Sequence, residues 1–233
     1  MSEPRHRTPT RLGGQALFVI ACVLIASACS IGHQVISGKP VAAAADRSLA
    51  IRVASSKLIT KPGGTEPKVV LSMYEDFLCP FCGKFEEQFG PTVSQLIDDG
   101  SVAADYYMVA ILDSSRNQHY SSRAGGAAYC VADDDTAPDM PTFKRFHAAL
   151  YAKQPSEMGS TFPTNAQLAD TARQAGATDK AVECIEQGSH TELSAGLSDE
   201  TNVSATPTVR INGEDYDLST PDALASKIKE LVG

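Results

Sequence analysis

The sequence predicts an α/β domain in which a β-α-β unit and a terminal β-β-α unit are separated by a long helical stretch, preceded by an N-terminal membrane anchor or signal. Three observations predict this. A short β-favouring run, Lys68-Val69-Val70-Leu71-Ser72-Met73-Tyr74, leads almost at once into apolar residues at helical spacing. Strand signals then nearly vanish from Gln118 to about Asp199. They return at Thr208-Val209-Arg210-Ile211, followed by the two-residue hairpin turn Asn212-Gly213.

Arg5, Arg7 and Arg11 precede a stretch from Leu12 to Gly32 that holds no charged residue. As a helix its 21 residues would reach about 31 Å, enough to cross a bilayer with the arginines on the cytoplasmic side. Residues 1–32 therefore read as a signal anchor. Ala26-Ser27-Ala28 is also a small-x-small cleavage signal, and Cys29 directly after it could carry the lipid of a bacterial lipoprotein. A lipoprotein-type signal and a cleaved signal are the alternatives, although Ala26 stands where a lipobox usually has an aliphatic residue. All three readings export the remainder. Without residues 1–32 the chain loses three Arg and one Glu, leaving 17 basic against 27 acidic residues, a net charge of −10. So acidic a domain has no general attraction for nucleic-acid phosphates, which excludes nucleic acid as the expected partner. Residues 33–47, with Gly38, Pro40 and the run Ala42 to Ala45, read as a linker.

Hydrophobic residues make up 42% of the chain, enough to build a sizeable core. Its first strand is the run ending at Tyr74, bounded by the turn-rich Lys61-Pro62-Gly63-Gly64. Phe81, Phe85, Phe89, Val93, Leu96 and Ile97 then give one apolar helix face, with Gly90-Pro91 expected to kink or break the helix. Val102 to Leu112 reads as a second buried strand, so the β-α-β order implies parallel pairing. Four Ala-rich helices are expected at Tyr120 to Ala132, Thr142 to Ala152, Asn165 to Ala175 and Asp179 to Gln187. After the hairpin with its second strand at Glu214 to Leu218, Ser219 or Thr220 caps a last helix that has Pro221 in its first turn. Leu224, Ile228, Leu231 and Val232 line one face of it. The core thus comprises residues 48–117 and 200–233, and the helical insertion residues 118–199.

Cys79-Pro80-Phe81-Cys82 falls between the buried strand and its helix, where a redox-active C-x-x-C belongs. Free N–H groups and the dipole at a helix start favour a thiolate, and Pro80 has no N–H to leave unpaired there. Cys79 is expected to be the exposed nucleophile of low pKa, and Cys82, one turn inward, its resolving partner. A structural disulfide and half of a zinc site are the bland alternatives. Zinc needs a second closely spaced ligand pair, whereas Cys130 and Cys184 stand alone, so no metal is assigned. The second signature is Ala205-Thr206-Pro207-Thr208, where a proline opens a strand that otherwise reads as core. A cis Thr206-Pro207 bond would create a turn able to face the C-x-x-C loop, while an ordinary trans proline before an edge strand is the alternative.

With these residues in view the sequence resembles the DsbA-like thioredoxin-fold disulfide oxidoreductases, in particular the membrane-anchored kind of actinobacteria. The matching stretches are Tyr74-Glu75-Asp76-Phe77-Leu78 leading into Cys79-Pro80-Phe81-Cys82, Asn117-Gln118-His119-Tyr120-Ser121-Ser122-Arg123-Ala124, Phe146-His147-Ala148-Ala149-Leu150, and Thr206-Pro207-Thr208-Val209. The resemblance implies a thioredoxin-like fold with an inserted helical domain. It also implies Cys79 as the attacking and attacked sulfur, Cys82 as its partner, and Thr206-Pro207 as a cis-proline loop that docks substrate backbone. Disulfides would be donated to reduced exported polypeptides. Reoxidation would fall to a quinone-linked membrane oxidase of the vitamin K epoxide reductase type. No bound cofactor is called for. The rivals are the same site run as a reductase or isomerase, and a non-catalytic polypeptide-binding module. No separate dimerisation domain is visible, which argues against an isomerase.

Two departures from the family stand out. Phe81 occupies a position where the best-known members have His, and it cannot donate a hydrogen bond to the thiolate. Met73 stands six residues before Cys79, where thioredoxin-like proteins often bury an acid. Glu75 or Asp76 is the candidate proton relay in its place, against the alternative of two solvated loop acids. Cys130 and Cys184, both in the insertion, are expected to form a structural disulfide in an oxidising compartment. His119 and His147 are read as packing or capping residues on Ala-rich helices and are not assigned to catalysis.

Overall fold

The run ending at Tyr74 becomes the middle strand of a five-stranded mixed sheet in a computed structural model that describes residues 49–233. The strands are β1 (Ile51–Ala54), β2 (Val70–Glu75), β3 (Ala103–Met108), β4 (Thr208–Ile211) and β5 (Glu214–Asp215), ordered β1-β3-β2-β4-β5. β2 pairs parallel with β3, as the β-α-β reading requires, and antiparallel with β4. The signal or anchor at residues 1–32 and the linker at 33–47 lie outside the described residues. Among the described residues no helix is long and apolar enough to cross a membrane.

Among the described residues seven α-helices accompany the sheet: α1 (Pro80–Asp98), α2 (Tyr120–Ala132), α3 (Pro141–Ala152), α4 (Asn165–Ala175), α5 (Asp179–Gln187), α6 (Thr191–Thr201) and α7 (Pro221–Val232). α1 runs through Gly90-Pro91 without the expected break. Pro91 forfeits one backbone donor and costs about 3 kcal/mol. Burial of Phe85, Phe89, Val93 and Ile97 on both sides of it, at roughly 1.5–3 kcal/mol each, outweighs that loss. Phe81 departs from the apolar face expected of it and is 64% exposed, because it stands in the first turn beyond the edge of the core.

Two elements escaped the sequence pattern. β1 has only two inward residues, Ile51 and Val53, too few for a period to register. It is held on β3 by a bidentate pair in which Arg52 Nε and Nη2 donate to Asp105 at 2.6 and 2.7 Å, which also accounts for an acid fully buried in mid-strand. α6 carries few apolar residues; Leu197 is buried in the core, and the Ser194 hydroxyl donates to the Met108 carbonyl at 2.7 Å. Its close approach to α2 depends on Gly126, where a Cβ would lie 2.7 Å from the carbonyl carbon of His190. The hairpin strand expected at Glu214 to Leu218 is confined to Glu214–Asp215.

Helices α2 to α6 all fall between β3 and β4 in the chain. Cys130 on α2 is bonded to Cys184 on α5, with a Cα–Cα distance of 5.7 Å and a sequence separation of 54. Cys184 is on the penultimate helix of this group rather than the last, since α6 follows it. Closing such a loop removes chain entropy worth roughly 4 kcal/mol from the unfolded state. Replacing both cysteines with Ala is therefore expected to lower the melting temperature while thiol exchange at Cys79 and Cys82 continues at low temperature; calorimetry paired with a peptide-oxidation assay checks both halves.

Candidate active site

β2 ends at Glu75, and the buried segment Asp76 to Leu78 carries the chain to Cys79, the N-cap residue of α1. An N-cap normally offers an oxygen to the first free N–H groups of its helix; here a sulfur occupies that place. The Cys79 thiolate is favoured first by a hydrogen bond from the Cys82 thiol and then, against the opposing effect of burial, by the Thr206 side chain and the N–H groups of Cys82 and Phe81. Together these hold its pKa down at about 5 against an ordinary 9.0. In the protonated form the thiol donates to the Thr206 carbonyl at 3.4 Å. The expected exposure of Cys79 is corrected: the residue is only 5% exposed, because the loop before it is itself core and the Thr206 loop lies against its sulfur. Cys82 is fully buried, and burial, the hydrogen bond it gives Cys79 and the charge of Glu75 push its pKa far up. Both are free thiols.

Thr206-Pro207 is a cis peptide, and its loop opens β4, the neighbour of β2 in the sheet. On the opposite side Gln154, just beyond α3, donates through Nε2 to the carbonyls of Phe77 at 3.0 Å and Cys79 at 2.9 Å. Gly83 makes room for it, since a Cβ there would lie 2.5 Å from Gln154 Oε1. The cysteine loop is thus gripped from both sides, by the cis-proline turn and by the helical segment.

The two acids before the motif are not solvated loop residues; both are fully buried. They have different tasks. Asp76 accepts from the Leu78 N–H at 2.8 Å and the Leu112 N–H at 2.9 Å, fixing the loop that delivers Cys79. Burial raises its pKa to about 6 in spite of hydrogen bonds from Ser121, Leu112 and Leu78. These two bonds give Asp76 a positioning role at the cysteine loop. Glu75 faces the opposite way. Its Oε2 lies 3.1 Å from His147 Nε2, and its Oε1 is buried with no hydrogen-bond partner.

His147, set aside in the sequence as a packing residue, is therefore part of the site's surroundings. Glu86, Tyr151 and Gln154 were also missed. A signal existed for three of them: Glu86 follows Cys82 by four residues on α1, and His147 precedes Tyr151 by four on α3, the spacing that stacks side chains on one helix face. His119, by contrast, is at the N-cap of α2 with φ of 55°, paired loosely with Asp113 at 3.5 Å and remote from the cysteines' hydrogen bonds. Two sets of three candidate metal ligands occur among the described residues, each with donor atoms within 4.8 Å. Cys130, Cys184 and His190 form one, and its sulfurs are already bonded to each other. Glu75, Glu86 and His147 form the other, where the direct hydrogen bond between Glu75 and His147 suits a shared proton.

A strand that delivers two cysteines to a helix start, faced by a cis-proline loop, defines the thiol–disulfide exchange site of the thioredoxin class. Residues 60–230 match the family described as thioredoxin, and the chain belongs to that family. Among solved structures it is similar to the reduced form of the disulfide bond oxidoreductase DsbG from Mycobacterium tuberculosis, at 59% identity over 80% of this chain and 89% of that one, with a TM-score of 0.77. It is also similar to reduced DsbA from Mycobacterium tuberculosis, at 58% identity over 79% of this chain and 92% of that one, with a TM-score of 0.75. A curated relative is the serine/threonine-protein kinase PknE of Mycobacterium tuberculosis, 30% identical over 147 residues. That match takes in 62% of this chain, which spans only 25% of the length of the kinase.

The opposite environments of the two sulfurs give a direct prediction. In the reduced protein the alkylation rate of Cys79 should rise with a midpoint near pH 5, while Cys82 stays unmodified through neutral pH; mass spectrometry of iodoacetamide-labelled peptides across pH 4 to 8 reads both (roughly the range over which a thiol so shifted titrates). Equal labelling of the two would remove the assignment of roles.

Proposed function

We propose that the protein is an extracytoplasmic thiol–disulfide oxidoreductase that donates the Cys79–Cys82 disulfide to reduced exported polypeptides. The observation that carries this reading is the split between the sulfurs: a thiolate favoured at Cys79 and a buried, protonated Cys82. A low pKa at the nucleophile stabilises the reduced pair, and a stable reduced form makes the disulfide oxidising. The similarity to disulfide oxidoreductases of Mycobacterium tuberculosis supports thiol–disulfide exchange as the chemistry.

In the proposed cycle a substrate thiolate attacks Cys79 Sγ, the Cys79–Cys82 bond breaks, and Cys82 leaves. A second substrate thiolate then attacks the substrate sulfur of the mixed disulfide, releasing Cys79 as the thiolate that its surroundings favour. Thr206-Pro207 presents backbone to the substrate segment next to Cys79, and the exposed ring of Phe81 offers an apolar contact beside it. The reduced pair is returned to the disulfide by a quinone-linked membrane oxidase of the vitamin K epoxide reductase type. Residues 1–32, acting as an anchor, would keep the domain beside that oxidase, and Cys130–Cys184 serves as a structural disulfide outside the cycle.

Two experiments test this. Cys79→Ser should abolish oxidation of a reduced peptide, whereas Cys82→Ser, offered the peptide as its mixed disulfide with glutathione, should displace glutathione as a thiol and accumulate a Cys79–peptide disulfide that survives on a non-reducing gel; a Cys82→Ser protein that forms no adduct would defeat the reading. The second uses pH. A thiol whose folded pKa is depressed stabilises the fold fully above its unfolded value and loses that contribution as pH falls through the folded one. For Cys79 the window runs from about 9 down to about 5 and exists only in the reduced protein. The stability of the reduced form relative to the oxidised form should therefore decline as pH is lowered across this window, as read from denaturant midpoints of both forms.

A further inference from the structure

The Cys82 N–H is claimed by two acceptors at the start of α1. It donates to the Cys79 carbonyl at 3.0 Å, and it also favours the Cys79 thiolate, after the Cys82 thiol and Thr206 have done so. One N–H cannot serve both at full strength. When the disulfide opens and charge collects on Cys79 Sγ, the amide is drawn to the sulfur and its hold on the carbonyl weakens. Cys79 is buried, so water is a poor substitute for the donor its carbonyl loses.

That carbonyl has a donor from outside the helix. Gln154 Nε2, just beyond α3, reaches the Cys79 oxygen at 2.9 Å and the Phe77 oxygen at 3.0 Å. Both partners are acceptors, which fixes the amide with its nitrogen towards the cysteine loop and Oε1 towards Gly83. The Gly83 N–H lies 3.2 Å from the same Cys79 oxygen. A carbonyl oxygen has two lone pairs. With the disulfide closed, the amides of Cys82, Gly83 and Gln154 share them. With the thiolate formed and the Cys82 amide drawn to it, Gln154 and Gly83 still fill both. Without Gln154 the reduced form, and only that form, leaves the buried oxygen short of a donor.

We infer that Gln154 is a positioning residue that favours the reduced pair, by holding the Cys79 carbonyl so that the first-turn amide is free for the sulfur. This inference rests on the exchange chemistry proposed above and assigns part of its oxidising strength to the helical insertion. Gln154 is uncharged and acts through the Cys79 backbone. Gly83 is the matching half of the device. A Cβ there would lie 2.5 Å from Gln154 Oε1, and a surface groove of about 520 Å³, lined by Gly83 and Gln154 themselves, gives the amide room to swing aside.

The test equilibrates the full chain with glutathione: the Cys79–Cys82 dithiol and one oxidised glutathione give the protein disulfide and two reduced glutathiones. Mass spectrometry of the acid-quenched, alkylated Cys79–Cys82 peptide reads the constant. Gln154→Met keeps the length of the side chain and removes the donor. Its constant for disulfide formation should rise roughly three- to tenfold, the factor that one neutral hydrogen bond supplies, making the disulfide less oxidising. Its denaturant midpoint should fall more in the reduced than in the oxidised form, and the pH midpoint of Cys79 alkylation should move up. Gly83→Ala, which removes a glycine from a helix and so does not threaten folding, should raise the constant as well by displacing the amide. In the Gln154→Met background it should add little, since both changes act on one contact. A merely structural Gln154 would weaken both forms alike and leave the constant and the alkylation midpoint unchanged, and that result overturns the inference. A constant in the unmodified protein too high for an oxidase would overturn the proposed direction of function and not the role of Gln154, which is read from the difference between variants.

Discussion

The site depends on one constraint: two sulfurs separated by a single helical turn must occupy opposite electrostatic environments. The start of α1 supplies half of this without any special side chain, because its free N–H groups point at the N-cap position that Cys79 fills. Cys82, one turn inward, is in the core by virtue of the same helix, on the face that also buries Phe85 and Phe89. Packing therefore creates the asymmetry. The same face that anchors α1 to the sheet deprives Cys82 of water, and the loop that buries Cys79 brings Thr206 against its sulfur.

The inserted helices complete what the sheet begins. α3 contributes His147 and Tyr151 to the surroundings of Glu75, and Gln154 just beyond it holds the carbonyls of Phe77 and Cys79. None of these contacts is local in sequence; the hydrogen bond between Glu75 and His147 joins residues 72 apart. The disulfide between α2 and α5 and the close crossing at Gly126 hold the helices to one another, so that α3 meets the cysteine loop as part of a braced body. On this view the insertion is more than a lid over a thioredoxin core. It carries the imidazole that meets Glu75 and the amide that holds the cysteine loop.

What was legible in the sequence follows from the range of the forces involved. β2, the cysteine motif, the limits of α2, α4 and α5 and the capping of α7 by Thr220 all rest on neighbours a few residues apart, and these were readable. β1 was not, because it exists through its pairing with β3 and the Arg52–Asp105 bridge, partners 53 residues apart. α6 was not, because it is held by Ser194 and by contact with glycines of α2 rather than by an apolar stripe. Pro91 misled because a local rule was overridden by four buried side chains. At the site, the cysteines and the proline were legible as a motif. The exposure of Cys79, the distinct tasks of Glu75 and Asp76 and the involvement of His147 depend on tertiary placement.

Met73 takes the position where thioredoxin-like proteins often bury an acid, and strand geometry places Glu75 on the same face two residues further on. Side chains alternate along β2, so Met73 and Glu75 share a face, about 7 Å apart along the strand. Tyr106, which pairs with Met73 across β2 and β3, belongs to that face as well and packs on His147 at 5.2 Å. Moving the acid two residues towards the end of the strand keeps it on the side where Cys82 is buried and brings it within reach of α3. At the earlier position an acid would have the core around it; at the later one Glu75 finds His147 at 3.1 Å. The shift thus sets the buried carboxyl against an imidazole of the helical insertion. A residue at 74 or 76 could not do the same, since each points to the other face: Tyr74 stacks on Tyr107 there, and Asp76 turns back to cap the cysteine loop.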